Sequence, residues 1–341
     1  MSIDDELQAT IRALVQKGRG ILAADESAPT IAKRFQAVGV ESTEENRRAY
    51  RSLLLTAPGL GEFLSGVILF EETLGQQADD GTPLPQAAQR QGIVTGVKVD
   101  KGTIALANAP GDLVTQGLDG LADRLKAYRI QGARFAKWRE VYKITDRNPT
   151  TLGIAANAEM LARYAAVCQE QGMVPIVEPE VLLDGDHSLR RCAEVTEAVL
   201  HAVFDALHRH QVRLDAMLLK ASMVLPGKKC AHKAAPDEVA RESLKVLRRT
   251  VPAAVPSINF LSGGQTAQQA TANLNAMNVL FPQAPWALSF SYARALQQPV
   301  LETWRGRREN VTAAQKALLV RAKLNALARA GQYRADMEAA P

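Results

Sequence analysis

The run Ala216-Met217-Leu218-Leu219-Lys220-Ala221-Ser222-Met223-Val224 reads as a buried β-strand interrupted by a single ammonium, that of Lys220. Desolvation disfavours the charged amine, so burial among apolar neighbours moves a lysine down from its usual pKa of about 10.4 toward nucleophilic range. A carbonyl compound would condense with such an amine to give a Schiff base. On this strand alone, a lysine whose stem packs while its head reaches water is the simpler explanation. The remaining strands decide between the two.

Seven further apolar, β-rich runs flank it: Gly20 to Ala24, Gly66 to Phe70, Ile93 to Val99, Ala133 to Trp138, Val174 to Val181, Ser257 to Leu261 and Ala287 to Tyr292. Their starts are spaced by about 38 residues on average, room for a strand, a crossover helix and loops. Helical periodicity fills the gaps. Thr43 to Thr56 opens with Ser42 and Glu45 in capping-box spacing, and Leu189 to His208 places Val195, Val199, Val203 and Leu207 on one face. Strands that are apolar throughout are covered on both sides, which favours a parallel sheet. Eight βα units therefore predict a closed (β/α)₈ TIM barrel, with an added N-terminal helix before Gly18 and a long C-terminal helix over Val311 to Ala330. A doubly wound open sheet is the alternative, but Gly18 and Gly20 precede the first strand rather than following it as a phosphate fingerprint would. With no linker or low-complexity tract, residues 1–341 read as one barrel domain.

Composition narrows the function classes. The 341 residues are 47% hydrophobic and 23% charged, ordinary for a globular chain. Residues Met1 to Leu7 carry Asp4, Asp5 and Glu6 and no basic signal region, and no apolar run approaches the roughly 18 residues of a membrane span. Cys168, Cys192 and Cys230 are odd in number and far apart, as suits reduced thiols. A cytoplasmic protein with no membrane association is expected. The net charge of +5 is spread over helices such as those holding Arg47-Arg48, Arg190-Arg191 and Arg248-Arg249, with no basic tail or aromatic stripe, so no nucleic-acid partner is expected.

In a (β/α)₈ barrel the C-terminal strand ends share one pocket. Here they carry Asp25-Glu26-Ser27, Glu71-Glu72, Lys98, Lys137 with Arg139, Glu178-Pro179-Glu180, Lys220, Ser262-Gly263-Gly264, and Ser291 with Arg294. Lys137 and Arg139 lie two apart, as do Glu178 and Glu180, so each pair shares a strand face. Any one of these charges is accounted for by a structural ion pair; gathered on one rim, they describe an active site. Lys220 is the expected nucleophile because its strand neighbours are apolar, whereas Lys98 and Lys137 stand nearer other charges. Glu178 or Glu180 would move the protons of carbinolamine formation and dehydration, and Asp25 would deprotonate a substrate hydroxyl. Ser262-Gly263-Gly264, leading into a helix over Thr266 to Asn278, offers backbone N–H groups and a helix N-terminus to a phosphate, with Arg294 beside it. Lys98, Arg139 and Arg34 supply charge for a second, so a sugar phosphate with two anionic ends is the expected substrate.

No metal or other cofactor is expected. None of His187, His201, His208, His210 and His232 falls on a strand end, and neither His-Glu-x-x-His nor paired Cys-x-x-Cys spacing occurs.

The motifs Gly20-Ile-Leu-Ala-Ala-Asp-Glu-Ser27, Gly66-Val-Ile-Leu-Phe70, Lys98-Val-Asp-Lys-Gly102, Phe135-Ala-Lys-Trp-Arg139, Val174-Pro-Ile-Val-Glu-Pro-Glu180, Phe260-Leu-Ser-Gly-Gly264 and Ser289-Phe-Ser-Tyr292 follow one another along nearly the whole chain. In these the chain closely resembles the class I, Schiff-base fructose-1,6-bisphosphate aldolases of glycolysis. The resemblance implies that Lys220 forms an imine with C2 of the ketose, that Glu178 exchanges protons around it, and that Asp25, Lys137 and Glu180 assist. It implies that Ser262, Gly263, Ser291 and Arg294 hold the C1 phosphate with Arg34 nearby, that Ser27, Thr30, Lys98 and Arg139 face the other end, and that the protein is a homotetramer.

The chain departs from the family pattern at four places. Ala221-Ser222 stand where Pro-Asn is common, Ala293 replaces a glycine before Arg294, and Thr30 takes a serine position. The family's terminal tyrosine has no counterpart, the last tyrosine being Tyr333, so slower enamine protonation or another proton donor is expected. Aldolases tuned to fructose 1-phosphate or sedoheptulose 1,7-bisphosphate are the nearest alternative; an oligomeric scaffold or polyanion binder, which the positive charge permits, is the alternative outside enzymes.

Overall fold

Alternating inward and outward side chains on eight parallel strands decide the architecture, a closed barrel described over residues 2–339 by a computed structural model. The strands in chain order are β1 (Gly20–Ala24), β2 (Leu64–Leu69), β3 (Val94–Lys98), β4 (Thr103–Ala105), β5 (Leu113–Thr115), β6 (Phe135–Tyr142), β7 (Val174–Val181), β8 (Leu218–Ala221), β9 (Ser257–Phe260) and β10 (Ala287–Tyr292). The barrel runs β1-β2-β3-β6-β7-β8-β9-β10 and closes where Ile21 pairs with Ser291 and Leu22 with Tyr292. That closure rules out the open sheet.

The strands are apolar on both faces because each face meets a different core. Outward residues such as Leu22, Val67, Val97, Trp138, Val177, Leu219, Ile258 and Phe290 pack under the helical layer. Inward residues Ile21, Ala23, Ile68, Phe135, Val174, Ile176 and Leu218 fill the barrel, and Leu7, Ile11 and Leu14 of the helix Ile3–Leu14 close its lower end. Each Val, Leu, Ile or Phe among them, fully buried, contributes about 1.5–3 kcal/mol. Gly96 of β3 is required by this filling, since a Cβ there would stand 2.2 Å from the Phe135 ring.

Several sequence expectations shift in detail. β8 is only four residues long, and β6 extends to Tyr142 rather than ending at Trp138. The helix Glu44–Leu55 is capped by Thr43, whose side chain accepts from Asn46 N, while Glu45 turns to Arg48; the Ser42–Glu45 capping box does not form. The antiparallel pair β4–β5 was not foreseen, although Thr103-Ile-Ala105 and Leu113-Val-Thr115 carry β-formers on either side of Asn108-Ala-Pro-Gly111. The long helices Leu189–Arg209 and Val311–Arg329 lie where periodicity put them. Among the described residues no helix is long and apolar enough to cross a membrane.

Candidate active site

Inward alternation carries the chemistry to one end of the barrel. On β6, Phe135 lies deep, Lys137 above it and Arg139 at the rim; on β7, Ile176 is followed by Glu178 and Glu180; on β8, Leu218 by Lys220. Asp25 follows directly on β1. These side chains open into a cavity of about 440 Å³ lined also by Ser27, Thr30, Arg34, Lys98, Ser262, Gly263, Ser291, Ala293 and Arg294.

At its floor stands a chain of four charged groups. Lys137 Nζ lies 2.7 Å from Asp25 Oδ2 and 2.9 Å from Glu178 Oε2, and Lys220 Nζ lies 3.0 Å from Glu178 Oε1. All four are buried. Burial pushes the Asp25 carboxyl up, but Lys137 and Lys220 outweigh it and hold Asp25 well below the usual carboxylate range. The same contest, won by Lys137, Lys220 and Arg139, holds Glu178 below its ordinary value. Lys137 loses by desolvation and regains more from Asp25 and Glu178, so it is firmly an ammonium. The expected apolar setting of Lys220 is therefore corrected: its strand neighbours are apolar, but its amine faces a carboxylate. What separates the lysines is number of partners, with two carboxylates on Lys137 and one each on Lys220 and Lys98, the last paired to Asp100.

At the rim, Arg139 Nε meets Glu180 Oε2 at 2.5 Å, and Ser27 and Thr30 share a hydroxyl contact of 3.2 Å. Arg294 lines the cavity from the end of β10. Arg34 is turned onto the buried Glu26, which also pairs with Arg51 at 2.7 Å and accepts from Gln297 Nε2 at 2.8 Å. Burial raises Glu26, and Arg51 and Arg34 more than reverse this. Arg51 and Gln297 were not foreseen, because only folding brings residues so distant in sequence to Glu26.

Three expected members are placed elsewhere. Glu71 binds Lys101 at 2.8 Å and Tyr128, Glu72 binds Arg47, and neither lines the cavity, because the chain turns into a short helix at Glu71–Leu74 and carries both outward. Gly264 lines the neighbouring cavity, where a Cβ would meet Leu183 at 2.8 Å; its φ of +77° makes the turn that sets Gly263 in place. The helix after it starts at Ala267, and its capping box, Thr266 with Gln269, satisfies the N–H groups of those two residues.

The departures have local explanations. Ser222 accepts from Val181 N and donates to Val181 O, both at 3.1 Å, tying the end of β8 to the strand that bears Glu178 and Glu180. Ala293 has φ −101°, so its backbone does not need glycine. Tyr333 hydrogen-bonds Glu338 at 3.0 Å, and Pro341 lies outside the described residues.

Glu140, outward on β6, was missed. Wholly buried, it accepts from Trp138 Nε1 at 2.7 Å and Thr115 N at 3.1 Å, the latter anchoring β5 beside the site. Burial raises its carboxyl to about 7, against the hydrogen bonds from Thr115 and Trp138 and with a smaller push from Asp100. Between the ordinary carboxylate value and 7 the folded chain holds a proton that the unfolded chain has lost, so this group's contribution falls as pH rises through that window, by on the order of 3 kcal/mol at most. Glu140→Gln is expected to remove that slope from urea-denaturation free energies measured between pH 5 and 8; an unchanged slope would assign the titration elsewhere.

A (β/α)₈ barrel with a buried lysine against a carboxylate and a cationic rim has the parts that an imine-forming lyase needs. The glycolytic family described as class-I fructose-bisphosphate aldolase matches residues 6–340, and the chain belongs to it. Over 332 residues it is 55% identical to the cytosolic fructose-bisphosphate aldolase 6 of Arabidopsis thaliana, covering 97% of this chain and 92% of that protein. It is 54% identical to a probable class 1 fructose-bisphosphate aldolase of Xylella fastidiosa, covering 98% and 100%. The solved structure of the Plasmodium falciparum fructose-bisphosphate aldolase, in complex with TRAP and a small-molecule inhibitor, superposes with a TM-score of 0.96 at 50% identity over 97% of this chain and 96% of that one.

Proposed function

We propose that the chain cleaves fructose 1,6-bisphosphate reversibly to dihydroxyacetone phosphate and glyceraldehyde 3-phosphate through an imine on Lys220. The observation that carries this reading is the Glu178 carboxylate set between Lys220 and Lys137 at 3.0 and 2.9 Å, one group able to exchange protons with the reacting amine. Lys220 Nζ adds to C2 of the ketose, the carbinolamine takes a proton through Glu178 and loses water, and the iminium becomes the electron sink. Asp25, held ionised, takes the C4 hydroxyl proton as the C3–C4 bond breaks and the aldehyde leaves. The remaining enamine is protonated at C3, and water releases dihydroxyacetone phosphate. Lys137 stabilises both carboxylates from between them, and Glu180 orients Arg139.

Ser262, Gly263, Ser291 and Arg294 are assigned to the C1 phosphate, with Arg34 able to exchange Glu26 for it; Ser27, Thr30, Lys98 and Arg139 are assigned to the C6 end. Residues 1–341 act as one catalytic unit, in a cytoplasmic homotetramer. Truncating a charged hydrogen-bond partner costs about 1.5–3 kcal/mol, or roughly 10- to 100-fold. Arg139→Ala is thus expected to raise KM for fructose 1,6-bisphosphate by that factor and leave KM for fructose 1-phosphate within twofold. Steady-state cleavage of both substrates, with sedoheptulose 1,7-bisphosphate as a third, tests the assignment; equal losses on mono- and bisphosphate would refute it.

A further inference from the structure

Asn259 is a second polar group flanking Lys220, opposite Glu178, and takes no part in the steps of the proposed cleavage. On β9, Ile258 and Phe260 face the outer core while Asn259 points into the barrel, register partner of Lys220 on one side and of Ser289 on the other. The residue is 3% exposed, and among the described residues its Nδ2 has no hydrogen-bond partner. Ser291 Oγ, on β10, is likewise buried and unpartnered. The deeper inward serines are satisfied by main-chain carbonyls, Ser257 Oγ by Ala287 O at 3.0 Å and Ser289 Oγ by Arg19 O at 3.3 Å. Unmade bonds on buried amides are costly, and an apolar residue would fill this layer without that cost. The unpartnered atom is a donor, so what completes it is an acceptor.

The strand order names the acceptor. β8 lies between β7 and β9, so Lys220 has Glu178 on one flank and Asn259 on the other. A carbon bonded to Lys220 Nζ carries one oxygen that must leave, and that oxygen accepts hydrogen bonds as carbonyl, as carbinolamine hydroxyl and as water. We propose that Asn259 is a catalytic residue of imine formation, its Nδ2–H donating to the C2 oxygen as that oxygen passes from carbonyl to hydroxyl to departing water, and holding the same water for hydrolysis. The step balances: the Lys220 ammonium and the ketone give the iminium and one water, the Glu178 carboxylate taking a proton from the amine and returning it to the departing oxygen, with the C2–O bonds broken and the C2–N double bond formed. Asn259 only donates hydrogen bonds; no proton is transferred from it. The proposal rests on the Lys220 imine.

The test follows enzyme-dependent loss of label from [2-¹⁸O]dihydroxyacetone phosphate into water, corrected for spontaneous exchange, beside steady-state cleavage, thermal unfolding and borohydride trapping. Asn259→Leu, close in shape but without a donor, is expected to slow exchange and kcat together by about tenfold or more, with KM within twofold and the unfolding midpoint unchanged or raised. Asn259→Ser, which restores a hydroxyl donor, recovers part of both rates. Exchange and kcat within twofold of the parent overturn the proposal, as does a loss that tracks a lowered midpoint and a raised KM, the signature of a structural amide. If the parent enzyme itself shows no trapped Lys220 adduct, the imine reading fails as well; if it does and Asn259→Leu behaves like the parent, only the role of Asn259 fails.

Discussion

Lys220→Met is expected to abolish cleavage, with kcat/KM down by about 10⁴-fold or more, while binding of the bisphosphate survives. Among the described residues lining the cavity, this amine is the one placed to be both nucleophile and, as iminium, electron sink, and neither Lys98 nor Lys137 can replace it. Lys137 is held between Asp25 and Glu178, and Lys98 is paired to Asp100 at the rim. Methionine fits the buried stem, and Glu178 keeps Lys137 as a partner, so the fold should persist. Binding persists because the residues proposed to hold the phosphates come from other strand ends. Calorimetric titration beside a coupled cleavage assay separates the two quantities. Residual cleavage within 100-fold of the parent would mean that another amine carries the reaction.

Glu178→Gln is expected to lower kcat by about 10²- to 10⁴-fold, the range for loss of a positioned acid–base group, with trapping at Lys220 slowed rather than lost. It also leaves Lys220 without its carboxylate, and removing one partner of a buried pair costs roughly 3–5 kcal/mol. A pH signature accompanies this. The folded pKa of Glu178 lies below its ordinary value, so its contribution is present above that value and lost as pH falls through the depressed one. Asp25 behaves alike. The parent should therefore lose stability on acidification in that window, and Glu178→Gln should show a shallower acid limb in urea titrations. This is opposite in sign to Glu140, whose effect appears as pH rises toward 7. A glutamine variant with parent kcat would remove Glu178 from the proton pathway.

The barrel was legible from the recurrence of apolar runs about 38 residues apart, and the paired charges of the candidate site from period 2. Lys137 and Arg139, or Glu178 and Glu180, two apart in apolar runs, can only face the same way, and recurrence of the runs closes the ring. Glu71 and Glu72 were misplaced because a strand-end position looks the same in sequence whether the chain continues inward or turns into a helix. Gly264 was misplaced because the turn after β9 sends successive residues to opposite sides. Arg51 and Gln297 left no local signal, since each is a buried polar group explained by Glu26, far along the chain, and Glu140 is explained by Trp138 two residues before it only once Thr115 is brought beside both. Asn259 was visible as an amide between Ile258 and Phe260, but its meaning depends on the register that sets it beside Lys220. The environment of Lys220 itself was read from its own strand, whereas its counter-charge comes from the next one.

Borohydride reduction of the enzyme with dihydroxyacetone phosphate, followed by peptide mass mapping, tests the imine most directly. The expected result is one reduced adduct per chain, on Lys220, with activity lost in proportion and cleavage by untreated enzyme unaffected by a chelator. An adduct on any other lysine, or cleavage abolished by the chelator, would contradict the mechanism.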